Sequence, residues 1–187
     1  MTAQNNVNVM DQNRYYYLYG EVNEEMTKNF IPKLLEFEQS DFNRDIVVYV
    51  DSYGGEIHSF VTIHDMINLC NCDVATVCVG KAMSAGAMLL LSGQKGKRFI
   101  TENSNVMIHQ LLSGCCNNMK ELEAHTNYNK ELQNMIEKII LKNTKIKKTE
   151  LKEMMTVSKF MSAKEALKYG IVDYIIKDKK ELNKHIK

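Results

Sequence analysis

The stretch that most constrains the fold is residues 73–93, which read DVATVCVGKAMSAGAMLLLSG. Residues 74–79 are apolar and rich in β-branched side chains, a pattern that predicts a short buried strand. Gly80 breaks this run, and residues 84–91 then predict a buried helix that ends near Gly93. A serine, Ser84, is therefore expected at a turn that leads from a buried strand into a buried helix.

Ser84 has two interpretations at this turn. A hydroxyl at a helix start lies among free backbone N–H groups at the positive end of the helix dipole, where an acyl-transfer nucleophile is needed because an oxyanion forms beside it. Small neighbours would let a substrate backbone approach, and these are Ala82, Ala85, Gly86 and Ala87. The alternative is that Ser84 only caps a core helix, since serine is a preferred N-cap residue.

The rest of the chain alternates predicted strands and helices, which is typical of a single α/β domain over residues 1–187. Further strands are predicted at residues 15–19, 45–50, 97–100, 105–108 and 171–176, and further helices at residues 24–39, 56–70, 119–143, 149–155 and 162–169. The helix at 119–143 is so polar that we expect it to project from the domain or to pack on a partner. Residues 1–12 are expected to be flexible, and residues 177–187 to form a charged tail.

Charge and cysteine spacing exclude several classes of function. A formal net charge of +1 offers no electrostatic basis for binding nucleic acid or an anionic membrane, and no apolar run reaches the roughly 18 residues that span a bilayer. The five cysteines lack both disulfide-framework and zinc-ligand spacing, so we expect no metal, no cofactor and a reducing compartment. Cys78 is expected in the core, and Cys115 and Cys116 as free thiols in a loop.

Three other segments carry residues that are candidates for binding or catalysis. Residues 51–55 are Asp-Ser-Tyr-Gly-Gly, and paired glycines after a strand let backbone amides face a ligand. His109 ends a predicted strand and is a candidate general base. Residues 162–173 predict a small helix followed by a strand. A single histidine near a strand end is more often structural, so these segments are informative only in combination.

In this order and spacing, the segments resemble the proteolytic subunit of the Clp protease. The family's Ser-Pro-Gly-Gly turn is matched by residues 52–55, and its nucleophile segment Gly-x-Ala-x-Ser-x-Gly-Ala by residues 80–87. Its segments Gly-x-Lys-Gly-Lys-Arg, Met-Ile-His-Gln, Ser-Ala-x-Glu-Ala and Tyr-Gly-x-Val-Asp are matched by residues 93–98, 107–110, 162–166 and 169–173. The resemblance covers roughly residues 17–176 without a large gap.

The resemblance implies a Clp/crotonase-type fold, an α/β spiral of repeated ββα units with a protruding strand-helix handle at about residues 111–143. It also implies a ring of seven subunits, either homomeric or shared with an active Clp proteolytic subunit, and two rings that interlock through their handles. The implied partners are an AAA+ Clp ATPase and unfolded polypeptide substrates, with no nucleic acid and no membrane.

Carried over by position, the resemblance implies Ser84 as the nucleophile and His109 as its base. It implies that the backbone amides of Gly55 and Ala85 form the oxyanion hole. No metal or cofactor takes part in this chemistry.

The third member of the implied catalytic triad is degenerate. Active relatives carry an acid two residues before a phenylalanine, which is Phe160 here, and that position holds Ser158. A serine hydroxyl can fix a histidine tautomer but cannot stabilise the imidazolium, and losing the acid in other Ser-His-Asp proteases lowers turnover by about 10⁴. Glu153 and Asp173 are candidate substitutes, although neither occupies the matching position.

Other departures from the family pattern also indicate a loss of catalytic activity. Tyr53 replaces the turn proline, Leu111 replaces the proline after His-Gln, and the glycine-rich handle strand becomes Ser-Gly-Cys-Cys-Asn-Asn at residues 113–118. The residues that line the family's axial pore are not recognisable in residues 1–12. These losses resemble the non-catalytic paralogues of plastid-type Clp complexes, which makes a relict plastid the expected location and the cytoplasm the alternative.

The sequence therefore predicts a non-catalytic ring subunit that contributes structure and docking surface to a Clp protease core. One alternative is a weakly or conditionally active serine endopeptidase, because Ser84 and His109 are both present. An alternative of another class is a crotonase-like acyl-CoA enzyme, which shares the amide oxyanion hole but has no reason to retain both side chains. Because the first half of the handle helix offers few apolar side chains, single rings, or a second ring made by a different subunit, are also expected.

Overall fold

The computed structural model describes residues 14–114 and 118–187. Its strands are β1 (Tyr15–Val22), β2 (Ile46–Gly55), β3 (Val74–Met83), β4 (Arg98–Thr101), β5 (Asn105–Ile108), β6 (Lys159–Ser162) and β7 (Tyr174–Ile176). Its helices are α1 (Glu24–Ser40), α2 (Ile57–Leu69), α3 (Ala85–Leu91), α4 (Met119–Asn143), α5 (Lys148–Thr156), α6 (Ala163–Tyr169) and α7 (Lys179–Asn183). The predicted α/β class is confirmed.

The sheet is mostly parallel and branches at β3. Strands β1, β2, β3, β4 and β7 lie side by side in that order, all parallel. The later part of β3 pairs instead with β5, also in parallel, and β5 pairs with β6 in antiparallel orientation. Because the carboxyl ends of parallel strands share one edge of a sheet, the ends of β3 and β5 are brought together.

Strands β2 and β3 both extend further than the sequence predicted. Gly80 was expected to end β3, but the strand continues through it to Met83. With a φ of +74°, Gly80 lies where β3 changes partner from β4 at Cys78 to β5 at Lys81, so the glycine bends the strand and does not end it. Strand β2 likewise continues past Val50 through a register shift to Gly55.

The main hydrophobic core lies between the sheet and its covering helices, and a smaller one lies on the other face. The smaller core contains Val77, Phe99 and Ile176, and Leu182 of α7 covers it. Residues 177–187, predicted as a charged tail, thus include a helix that packs on the sheet. Asp45 N donates to the Lys187 carbonyl over 3.3 Å, which ties the end of the chain to the start of β2.

Helix α4 has two different halves. Its first half is exposed, whereas Ile136 and Ile140 in its second half are buried in the main core. The exposed first half agrees with the polar character predicted for this helix, whereas the second half packs in the core of its own domain. Among the described residues, no helix has the length and apolarity to span a bilayer.

Among the cysteines, Cys78 is buried as predicted, and burial raises the pKa of its thiol to about 12. Cys115 and Cys116, like residues 1–12, lie outside the described residues, so the predictions for them stay predictions.

Candidate active site

Ser84 lies between β3 and α3 in an unusual backbone conformation, with φ of +55° and ψ of −124°. A non-glycine residue in such a region typically carries about 1–3 kcal/mol of strain, which the surrounding structure must offset. Here the Ser84 N–H donates to the Met107 carbonyl over 2.8 Å, which fastens the turn to β5. Ser84 occupies the N-cap position of α3, yet its side chain makes no capping hydrogen bond. The capping interpretation therefore does not account for this hydroxyl.

The Ser84 hydroxyl instead contacts His109. Its Oγ lies 2.7 Å from His109 Nε2, directly beyond the end of β5. Burial lowers the pKa of His109 below its usual value, so the ring is neutral at neutral pH and Nε2 can accept the serine proton. In the tautomer in which Nε2 accepts, the ring proton resides on Nδ1. The structure thus brings together the predicted nucleophile and base, whose catalytic roles stay predictions.

The glycine turn of β2 packs directly against this pair. Gly54 has a φ of +104°, and a Cβ added to it would lie 2.7 Å from Ser84 Cβ and 3.0 Å from the Ala85 nitrogen. Ala85 is the first residue of α3, so its N–H has no acceptor within the helix. Gly55 and Ala85 line the same cleft as Ser84 and His109. Two backbone amides in this position match the predicted oxyanion hole, which stays a prediction.

The cleft beside Ser84 has a volume of about 360 Å³ and a mostly apolar lining. Its walls come from α2, α3, α4 and α5 and include Phe60, Met88, Ile136, Ile140 and Met155. These helices place only hydrocarbon and thioether surface at those positions. The cleft can therefore accept an apolar side chain next to the serine hydroxyl.

Strand β6, which the sequence did not predict, brings the segment of Ser158 to the end of β5. Ile108 pairs with Lys159 as the last pair of the antiparallel β5–β6 ladder, so His109 and Ser158 each lie one residue beyond it. Ser158 is exposed, and within the described residues nothing bonds to His109 Nδ1. The position predicted for the acid thus adjoins the histidine but supplies no charge.

Neither candidate substitute for the acid serves His109. Asp173 is held by Arg98, whose Nη2 and Nε lie 2.7 and 2.9 Å from its two carboxylate oxygens. The backbone N–H groups of Gly96 and Arg98 also donate to Asp173. These bonds to Arg98 lower the carboxyl pKa despite its burial. Glu153 lies exposed on α5, and the described residues show no bond from it to His109.

Sequence reasoning missed two groups of residues around the site. Lys81 Nζ lies 2.6 Å from Asp51 Oδ1 and 4.4 Å from the centre of the Tyr53 ring, which holds Tyr53 at the rim of the cleft. Gln133 on α4 accepts a hydrogen bond from the Leu111 N–H. No signal in a single sequence points to either group, because charged and amide side chains of this kind are usually solvated.

An α/β sheet that presents a serine–histidine pair and free amides at its strand ends is the arrangement of a serine peptidase-type protein. The family model of the Clp protease matches residues 1–179. The chain therefore belongs to the Clp protease family and is a Clp proteolytic-type subunit. This match favours the peptidase lineage over a crotonase-like acyl-CoA enzyme. Within residues 14–114 and 118–187, no group of acidic, histidine or cysteine side chains could hold a metal ion.

Proposed function

We propose that this chain is a ring subunit of an ATP-dependent Clp protease core whose own catalytic relay is incomplete. The observation that carries the proposal is the environment of His109, which contacts Ser84 and lies, like the uncharged Ser158, one residue beyond the last pair of the β5–β6 ladder. The subunit contributes structure and docking surface and has little peptidase activity of its own.

The size of the expected loss follows from the missing charge. A carboxylate beside the base stabilises the imidazolium that forms when the serine attacks, and its removal lowers turnover by about 10⁴ in a related triad. At about 1.4 kcal/mol per tenfold, this is roughly 5 kcal/mol of transition-state stabilisation. Asp173 is bonded to Arg98 and leaves that loss uncompensated.

The proposed partners follow from family membership and from the cleft. The substrates are unfolded polypeptides, delivered by an AAA+ Clp ATPase, and the apolar cleft suits an apolar side chain of such a substrate. The ring holds seven subunits, either of this chain alone or mixed with an active Clp proteolytic subunit. The location is a reducing compartment, with a plastid-type organelle favoured and the cytoplasm as the alternative.

A weakly or conditionally active peptidase is the second candidate, and the 2.7 Å contact between Ser84 and His109 favours it. Turnover of short fluorogenic peptides separates the two candidates when an active Clp proteolytic subunit is measured in parallel. We expect a rate lower by about 10³ or more, since the acid is absent. Turnover within tenfold of the active subunit, abolished by Ser84→Ala, would contradict the proposal.

Native mass spectrometry tests the ring. We expect assemblies of seven subunits, alone or with an active paralogue, and a monomer at micromolar concentration would contradict this. The exposed first half of α4 is mostly polar, with Met119, Leu122 and Tyr128 as its exposed large apolar side chains, so single rings or mixed double rings are expected. A homomeric fourteen-mer that persists on dilution under reducing conditions would rule out that part of the proposal.

A further inference from the structure

The segment that follows His109 is fastened to helix α4 by two side chains. Residues 109–114 leave β5 without regular secondary structure. The Leu111 N–H donates to Gln133 Oε1 over 2.9 Å, and Asn129 Nδ2 donates to Ser113 Oγ over 2.7 Å. The two bonds connect the polypeptide next to the candidate base with the handle helix.

The distance between the two hydrogen bonds is about the same along α4 as along the segment that follows His109. Asn129 and Gln133 are four residues apart on a helix, a rise of about 6 Å on one face. Leu111 and Ser113 are two residues apart, a separation of about 6.6 Å where the chain is extended. The pair of bonds therefore acts as a two-point clamp that opposes sliding of the segment along α4.

The Gln133 amide is itself held in one orientation. Its Nε2 donates to Glu137 Oε1 over 3.0 Å, one turn further along α4. Because the carboxylate only accepts and the Leu111 N–H only donates, Oε1 has to face Leu111 and Nε2 has to face Glu137. The amide cannot flip without losing both bonds.

His109 lies between this clamp and the end of a strand. On one side, Ile108 is paired with β6, and on the other side the Leu111 N–H is bound by Gln133. We propose that Gln133, supported by Asn129, is a positioning residue that holds His109 at hydrogen-bond distance from Ser84. The clamp also accounts for a departure noted in the sequence. Leucine at position 111 introduces an N–H that a proline lacks, and Gln133 supplies the acceptor that this group requires.

The clamp is tested by replacing Gln133 with leucine and reading out His109 directly. In Gln133→Leu, the freed segment should expose the ring to water, so the His109 pKa measured by NMR titration rises toward the usual histidine value. Amide hydrogen exchange at Leu111 should accelerate by about tenfold, since one hydrogen bond is lost. Asn127→Leu is the matched control, because Asn127 is an exposed amide on the same helix, and it should change neither quantity.

A second variant separates the clamp from a general effect on α4. Leu111→Pro removes the N–H, and in this background Gln133→Leu should have no further effect on the His109 pKa. Exchanging the two side chains, Gln133→Glu together with Glu137→Gln, keeps an acceptor for the Leu111 N–H and a donor beside it, and should keep the Leu111 amide protected. Equal loss of protection in this double variant and in Gln133→Leu, or an unchanged His109 pKa in Gln133→Leu, would overturn the assignment.

The positioning role deepens the proposed function, because it concerns the candidate base of the same site. If a fluorophosphonate labels Ser84 in the unmodified chain, the labelling rate should fall in Gln133→Leu, and its pH profile should shift with the His109 pKa. If the unmodified chain is not labelled, the second candidate function, a weakly active peptidase, fails, and the titration and exchange measurements still decide the clamp.

Discussion

Two serines flank His109, and the structure supports them very differently. Ser84 is held by a strained backbone turn, by a hydrogen bond to β5 and by the glycine turn of β2. Ser158 lies exposed just before β6, a four-residue strand. The nucleophile geometry is part of the backbone architecture, so it persists as long as the fold does. The acid depends on one exposed side chain, which can be lost without disturbing the core.

The largest expected effect is on peptidase turnover and comes from introducing a negative charge at position 158, the less well supported of the two serines. Ser158→Asp places a carboxylate near His109, and peptidase turnover should increase by up to about 10⁴, the factor lost when the acid is removed elsewhere. Ser158→Asn, which is similar in size but uncharged, is the control and should give no gain. An unchanged rate in Ser158→Asp would mean that more than the acid is missing.

The second-largest expected effect is a loss of stability at Asp173, a residue that we expect to stabilise the fold and not to substitute for the acid. Asp173→Asn leaves the buried guanidinium of Arg98 without its charged partner, so the free energy of unfolding in urea should fall by about 3 kcal/mol. The His109 pKa in the folded variant, measured by NMR titration, should not change. Glu153→Gln, at the other candidate, should alter neither quantity, and a fall of the His109 pKa in either variant would argue that its carboxylate reaches His109.

A smaller effect tests how closely the glycine turn supports Ser84. Gly54→Ala adds a Cβ 2.7 Å from Ser84 Cβ at a positive φ, so we expect a loss of stability of about 2 kcal/mol. Gly96→Ala is the matched control, because Gly96 has a φ of +87° and open space around it. Equal losses of stability in the two variants would show that the glycine turn is not tightly packed against Ser84.

The smallest effect is a decline in stability at acidic pH. Ser92 Oγ donates to the Met88 carbonyl, so His64 must donate to it from Nδ1 and accept from Asn68 at Nε2, which requires a neutral ring. Burial lowers the pKa of His64, with Asp65 opposing the shift and Lys142 adding to it, and burial also lowers that of His109.

The sign of this pH dependence follows from the two depressed values. The unfolded chain takes up protons near pH 6.5 while the folded chain does not, so stability is full above that pH. It is lost as the pH falls toward the folded pKa values. Urea midpoints between pH 8 and 5 should show the decline, and His64→Gln should reduce it. A midpoint that rises as the pH falls below 6.5 would contradict both assignments.

Much of this fold could be predicted because its patterns are local. The buried strand at 74–79 and the long helix at 119–143 follow from composition and periodicity over short windows, and the structure places elements there. Other features depend on distant partners. Strand β6 has only four residues and exists through its pairing with β5, and α7 is fixed by a single buried residue, Leu182.

The candidate site likewise contains features that could be predicted from the sequence and features that depend on distant partners. Ser84 and His109 could be identified because their segments, taken together, resemble those of the Clp protease family, and their contact follows from strands that share an edge. The bond between Gln133 and Leu111 spans 22 residues and joins a helix to an irregular segment, so no periodic pattern encodes it. The bonds between Asp173 and Arg98 likewise emerge only from the tertiary structure.

His109 has a serine for a partner and, among the described residues, no anion bonded to it, and the pKa of His109 tests this most directly. An NMR titration of the histidine ring should give a value below about 6.5 in the unmodified chain, because burial acts unopposed. In Ser158→Asp the value should rise, since a carboxylate near the ring favours the imidazolium. A His109 pKa clearly above 6.5 in the unmodified chain would contradict the account, because it would require an anionic partner next to the ring.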